Sequence, residues 1–161
     1  MIPKVLSLDD EESDVLTLHR LLRGEGFTVD HASSVEDALS FLIDQQNQYG
    51  AIITDFNLSG VNDITGNQFL RLVKGLAWSE DPEISKVVDT AFEHDQTNYD
   101  RFLKRYEGIV LVLFSGNNFS SDKDPCLNDV FVEQKNPYDS NCSAEKRILS
   151  YLRDCLFPGN G

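Results

Sequence analysis

The chain has 161 residues, 40% of them hydrophobic and 25% charged, which is room for one domain whose core needs no covalent or metal staple. It carries 27 Asp and Glu against 14 Lys and Arg, a formal net charge of −13. Such a surface repels nucleic-acid phosphates and anionic lipid, so direct binding to either is excluded.

No apolar run approaches the roughly 20 residues of a membrane span. The start, Met1-Ile2-Pro3-Lys4, has no signal-peptide pattern, so a cytoplasmic protein is expected. Cys126, Cys142 and Cys155 form no CxxC and imply no disulfide framework. His19, His31 and His94 are scattered without zinc-ligand spacing.

Val5 to Leu8 is an apolar run that ends in Asp9-Asp10-Glu11-Glu12, and it predicts a buried strand entering a charged loop. Val15, Leu18 and Leu22 follow at helical spacing until Gly24-Glu25-Gly26. Phe27 to Ala32 alternates like a strand, Ser33 and Glu36 form a capping-box pattern, and Ala38, Leu39, Leu42 and Ile43 supply a helix face. Ala51 to Thr54 predicts a strand ending at Asp55, with a polar loop over Asn57 to Asp63. Gln68 to Leu76 reads as a helix. Ile109 to Phe114, apolar on both faces, reads as a central parallel strand ending at Ser115. Val130 to Val132 is a fifth strand, ending near Lys135, and Ile148, Leu149, Leu152, Cys155 and Leu156 mark a last helix.

Strands alternating with helices predict a parallel sheet with right-handed crossovers, here a doubly wound, flavodoxin-like α/β fold. The stretch Ala77 to Gly108 breaks the rhythm. Asp81-Pro82 can start one helix, with Ile84, Val87, Val88, Ala91 and Phe92 on a face. Thr97 can cap a second, with Tyr99, Phe102, Leu103 and Tyr106 on a face. The stretch predicts a helical hairpin inserted between helix 3 and strand 4, rooted at the amino ends of the strands and packed mainly on its own domain.

In an open parallel sheet the ligand site lies at the carboxyl ends of the strands. These end in Asp9-Asp10, Asp55, Ser115 and, near the fifth, Lys135. If the strands are neighbours, three carboxylates converge, and a divalent cation, a lysine or both must offset their repulsion. Mg²⁺ suits such a site because it takes a few carboxylates and keeps several waters. A carboxylate beside Mg²⁺, an ammonium and a hydroxyl is equipped to attack phosphorus. A lone Asp after a strand is commonly a helix cap; four strand ends carrying acid pair, Asp, Ser and Lys form a far more specific pattern.

At these residues the sequence resembles a response-regulator receiver domain of two-component signalling, over nearly the whole chain outside the insertion. Leu8-Asp9-Asp10-Glu11 resembles the family's acidic pair, Ile52 to Leu58 its phospho-acceptor segment, Phe114-Ser115-Gly116 its hydroxyl residue and small neighbour, and Lys135 its lysine. The resemblance implies a five-stranded sheet in order 2-1-3-4-5, a single domain over residues 1–158 with an insertion at 77–107, and a tail at 159–161. It implies Asp55 as phospho-acceptor, Ser115 and Lys135 on the phosphoryl oxygens, and Mg²⁺ (or Mn²⁺) held by Asp10, Asp55 and the main-chain carbonyl of Asn57, with Asp9 in support. Asn57 and Asn117 occupy positions that influence phosphoryl lifetime; both are small and polar, so a short-lived phosphoryl group is expected. No further cofactor is implied. The implied partners are a sensor histidine kinase or phosphotransfer protein as donor and an unidentified protein target, with a homodimer left open. Such a domain assists its own phosphorylation and dephosphorylation without being an enzyme with a separate substrate.

Three positions depart from the family pattern. Proline follows Lys135 one residue late, at Pro137, so no cis bond is assumed there. The family's switch aromatic is replaced by Val132, while the adjacent Phe131 points to the opposite face by strand period. The loop after Asp55 lacks proline, and its glycine, if Gly66 is the counterpart, comes late. The alternatives are a degenerate receiver acting only as a protein-binding module, a flavin-binding protein and an aspartyl-nucleophile phosphatase. Asp9 to Glu12 stands where flavin phosphate would need a Ser/Thr/Gly-rich loop, and Asp55-Phe56-Asn57 lacks the phosphatase's second acid.

Overall fold

The computed structural model describes residues 2–58, 64–76, 82–116 and 127–159. Five strands, β1 (Lys4–Leu8), β2 (Thr28–Ala32), β3 (Ala51–Thr54), β4 (Val110–Ser115) and β5 (Phe131–Gln134), form one parallel sheet in order β2-β1-β3-β4-β5. This is the expected order. Both faces are covered, so the central strands are apolar at nearly every position.

On one face, α1 (Leu16–Gly24) and α6 (Ser143–Leu156) pack over Val5, Val29, Ile53, Val112 and Phe114. On the other, α2 (Val35–Ile43) and α3 (Gly66–Lys74) pack over Leu6, Leu8, Ile52, Leu111 and Leu113. Strand alternation sorts these residues between the two cores. Phe131 and Val132 divide in the same way: Phe131 packs toward α6, its ring stacked on Tyr151 at 4.2 Å, and Val132 toward the other core.

Local signals fix the helix ends, with two shifts from expectation. Helix α2 is capped by Ser34, which accepts from the Asp37 amide, while the Ser33 hydroxyl donates to the Asp37 carboxylate. The expected Ser33–Glu36 box is thus displaced by one residue. Helix α3 begins at Gly66, earlier than expected, behind a capping box in which Thr65 and Gln68 satisfy each other's amides. It ends at Gly75, whose φ of 71° is left-handed.

The insertion forms α4 (Pro82–Ala91) and α5 (Gln96–Arg105). Asp95, and not Thr97, caps α5, accepting from the Thr97 amide at 2.8 Å. The hairpin packs on α2 and α3 as extra helical cover on that face. Its aromatics Phe92, Tyr99, Phe102 and Tyr106 are all buried, and their rings form one chain of contacts with centroids 5.0–6.1 Å apart. The Tyr99 hydroxyl donates to the Leu72 carbonyl at 2.7 Å and the Tyr106 hydroxyl to the Leu42 carbonyl at 2.8 Å. Arg105 donates to the carbonyls of Asp44, Gln45 and Asn47, beyond the end of α2. Trp78 lies outside the described residues.

Candidate functional site

Parallel order puts the carboxyl ends of β1, β3, β4 and β5 side by side, and the expected residues meet there. One oxygen from each of Asp9, Asp10 and Asp55 falls within 4.8 Å of the others. At that separation each charged pair repels by roughly 3 kcal/mol for an effective dielectric near 20. Lys135 answers part of this. Its Nζ lies 2.5 Å from Asp9 Oδ2, 3.3 Å from Asp55 Oδ2 and 3.9 Å from Asp14 Oδ2.

Backbone contacts hold these groups in place. The Asp9 amide donates to the Ala32 carbonyl and the Asp55 amide to the Leu8 carbonyl, extending the strand pairing to the two acids. Asp9 Oδ1 accepts from the Glu11 amide at 2.9 Å, and Asp55 Oδ1 from the Phe56 amide at 2.7 Å. The Lys135 amide donates to the Ser115 carbonyl at 2.8 Å, which sets lysine beside hydroxyl. The Lys135 ammonium also lies 5.7 Å from the Phe114 ring centroid, a cation–π contact.

Asp9 and Ser115 are each 1% exposed, whereas Asp10 and Asp55 are half-buried. Burial pushes the Asp9 carboxyl above its ordinary value, against the pull of Lys135 and of the Glu11 amide. Burial also pulls Lys135 down, but Asp9 and Asp55 outweigh it and hold the ammonium above its ordinary 10.5. Lys135 therefore stays charged across the physiological range. Three carboxylates and one ammonium give the cluster a formal charge of −2, which a divalent cation balances.

Asn57 is exposed, while Asn117 lies outside the described residues. No cis peptide bond occurs among the described residues.

Three further residues shape the site. Gly66 packs so tightly on the β3 end that a Cβ there would stand 1.9 Å from the Asp55 carbonyl oxygen. The Thr54 hydroxyl donates to the same oxygen at 2.9 Å. Asp14 adds a fourth carboxylate near Lys135 from the turn before α1. Gly66 was marked in the sequence only as the late glycine of the loop after Asp55; nothing local marked the other two.

With this geometry in view, solved structures identify the fold as that of receiver domains. The chain is similar to the chemotaxis response regulator CheY4 of Vibrio cholerae at 19% identity, over 94% of this chain and 99% of that one, with a TM-score of 0.60. It is similar to the receiver domain of the hybrid histidine kinase CckA at 19% identity, over 95% and 98%, with a TM-score of 0.56. It is also similar to the response regulator TrrA of Thermotoga maritima, solved in complex with Mg²⁺-BeF, at 20% identity, over 94% and 99%, with a TM-score of 0.56. No protein-family model matches the chain, and no curated protein matches it at significance.

Proposed function

We propose that this chain is a phospho-accepting receiver of a two-component phosphorelay, a single domain over residues 1–158 with the insertion at 77–107. The observation that carries the reading is the meeting of Asp9, Asp10 and Asp55 with Lys135 and Ser115 at one end of the sheet. All five lie at or just beyond the carboxyl ends of parallel strands, where open α/β sheets bind ligands.

Asp10, Asp55 and the Asn57 carbonyl would hold Mg²⁺, with Asp9 in support, and Mn²⁺ would serve in its place. Hard oxygen donors and a charge of −2 suit either ion. Bound there, the ion would supply positive charge against the phosphoryl oxygens. An Asp55 carboxylate oxygen forms a bond to the phosphorus of the donor phosphohistidine. The phosphorus–nitrogen bond breaks, and its electron pair leaves with the imidazole. Lys135 and the Ser115 hydroxyl bind the phosphoryl oxygens as Asp55 is consumed as a charge partner. Hydrolysis of the acyl phosphate resets the site.

The donor is a histidine kinase or phosphotransfer protein, and the output is phosphorylation-dependent binding of a protein target. No helix among the described residues is long and apolar enough to cross a membrane.

Mn²⁺ titration followed by paramagnetic broadening of amide resonances tests the cation part. Broadening centred on Asp10, Asp55 and Asn57, lost in Asp10→Ala, supports it. An unchanged profile in that variant places the ion elsewhere. Affinity capture with phosphorylated and unphosphorylated chain tests the output, and partners indifferent to phosphorylation contradict it.

A further inference from the structure

A second cluster of buried polar groups lies under α1. In the parallel register of β1 and β2, Ser7 stands opposite His31. By strand alternation both point to the face that carries Val5 and Val29, which α1 covers. From α1 comes His19, fully buried, whose ring meets that of His31 edge-on with centroids 5.6 Å apart. Neither His19 nitrogen, nor His31 Nδ1, nor Ser7 Oγ has a hydrogen-bond partner among the described residues.

Polar groups in such a place are tolerable while the His19 ring is neutral. A protonated imidazole presents two donors and a charge, and no acceptor stands at either His19 nitrogen. The charged and titratable groups that act on His19 are few. His31 on β2 and Arg23 on α1 oppose a proton there, and Glu12, on the turn before α1, favours it. Across this interface α6 contributes the apolar Ile148, Leu149 and Leu152. Burial, the largest effect, together with His31 and Arg23, lowers His19 from 6.5 to about 4.

We propose that His19 and His31 form a proton-operated clasp between α1 and the sheet, in which a proton is accommodated only when α1 lifts, so that acid opens this edge of the fold before the rest. The chain leading into α1 carries Asp9, Asp10 and Asp14, so lifting α1 also loosens the carboxylate cluster. That consequence rests on the cation-site reading; the clasp does not.

The sign is that of a depressed base. The stabilisation is whole above the open-state value of 6.5 and is lost as pH falls toward 4. The open population of α1 rises about 30-fold by pH 5 and about 300-fold at the limit, the ratio set by these two values.

The test is amide hydrogen exchange on the metal-free full chain from pH 7.5 to 4.5, corrected for intrinsic rates. The expected result is an acid-dependent opening of α1 of that size, ahead of β3 and β4, and absent in His19→Leu. An equal acid dependence in His19→Leu, or none in the wild type, overturns the clasp. Should that variant not fold, the wild-type ring nitrogens are titrated by NMR. A His19 midpoint near 4 supports the clasp, and an ordinary midpoint near 6.5 with α1 still protected overturns it. Cation binding is measured separately, so failure of the site reading leaves this result intact.

Discussion

A methyl group on Gly66 would stand 1.9 Å from the carbonyl oxygen of Asp55, closer than any packed atoms approach. The first residue of α3 is thereby locked to the end of β3, and the Gly66 amide completes the lock by donating to the Phe56 carbonyl at 2.7 Å. Gly66→Ala must push α3 away or deform the end of β3. It should cost about 1–3 kcal/mol, the usual cost of overpacking, and slow phosphoryl uptake. Urea unfolding and acetyl phosphate labelling of the same variant check both effects; an unchanged variant in both contradicts the lock.

Lys135 is the internal counter-ion of Asp9 and Asp55. Lys135→Met should destabilise the chain by about 3 kcal/mol at neutral pH, the low end for a broken buried pair because Asp10 and Asp55 reach solvent. Added Mg²⁺ should restore more stability to this variant than to the wild type, since it faces three carboxylates without a competing ammonium. Urea midpoints with and without Mg²⁺ measure this.

The same contact predicts an alkaline limit. The folded value of Lys135 is raised, so its stabilisation is fully present below 10.5 and lost as pH climbs through the folded value. Buried tyrosines, Tyr99 among them, titrate late as well and add to alkaline unfolding. The difference between wild type and Lys135→Met isolates the lysine: it should shrink above pH 10.5. A difference that stays constant to pH 12 contradicts the ion-pair account.

The insertion is held by its tyrosine hydroxyls and its aromatic chain. Tyr99→Phe and Tyr106→Phe should each cost about 1 kcal/mol, by loss of the hydroxyl's bond to the Leu72 or Leu42 carbonyl. Phe102→Ala should cost about 3–5 kcal/mol as a buried aromatic truncation. None should abolish phosphorylation of Asp55 in folded protein, because the hairpin is anchored at the far ends of α2 and α3. Loss of labelling in a folded Tyr106→Phe variant contradicts that separation.

The reach of the sequence differed between these parts. Strand ends were legible because a parallel strand buried on both faces reads as an unbroken apolar run, so its polar terminus is conspicuous: Asp9, Asp55 and Ser115 each follow one. Lys135 was less conspicuous, because β5 is short and half-exposed, and it stood out only beside the other strand ends. The hairpin helices were visible in their stripes, but the surface they cover was not. Tyr99 to Leu72 and Tyr106 to Leu42 are contacts across 27 and 64 residues, which no local pattern encodes. Caps were misplaced by one or two residues at Ser33 and Thr97, where adjacent Ser34 and nearby Asp95 offer equal chemistry and backbone geometry decides. The His19–His31 pair was invisible for the same reason as the tyrosine contacts, since helix and strand meet only after folding.

Asn57 is exposed and small, so on the proposed reading it would leave a phosphoryl group on Asp55 open to water. The labelled protein should lose its phosphoryl group with a half-life of order minutes at neutral pH in Mg²⁺. Asn57→Arg should lengthen it by covering the opening. A wild-type half-life of a day contradicts this.

The central claim is that Asp55 accepts the phosphoryl group under Mg²⁺. Intact-mass spectrometry after incubation with acetyl phosphate tests it most directly. The account predicts one phosphoryl group added with Mg²⁺, little without it, and none in Asp55→Asn. A wild type that takes up no phosphoryl group, or an addition that persists in Asp55→Asn, contradicts it.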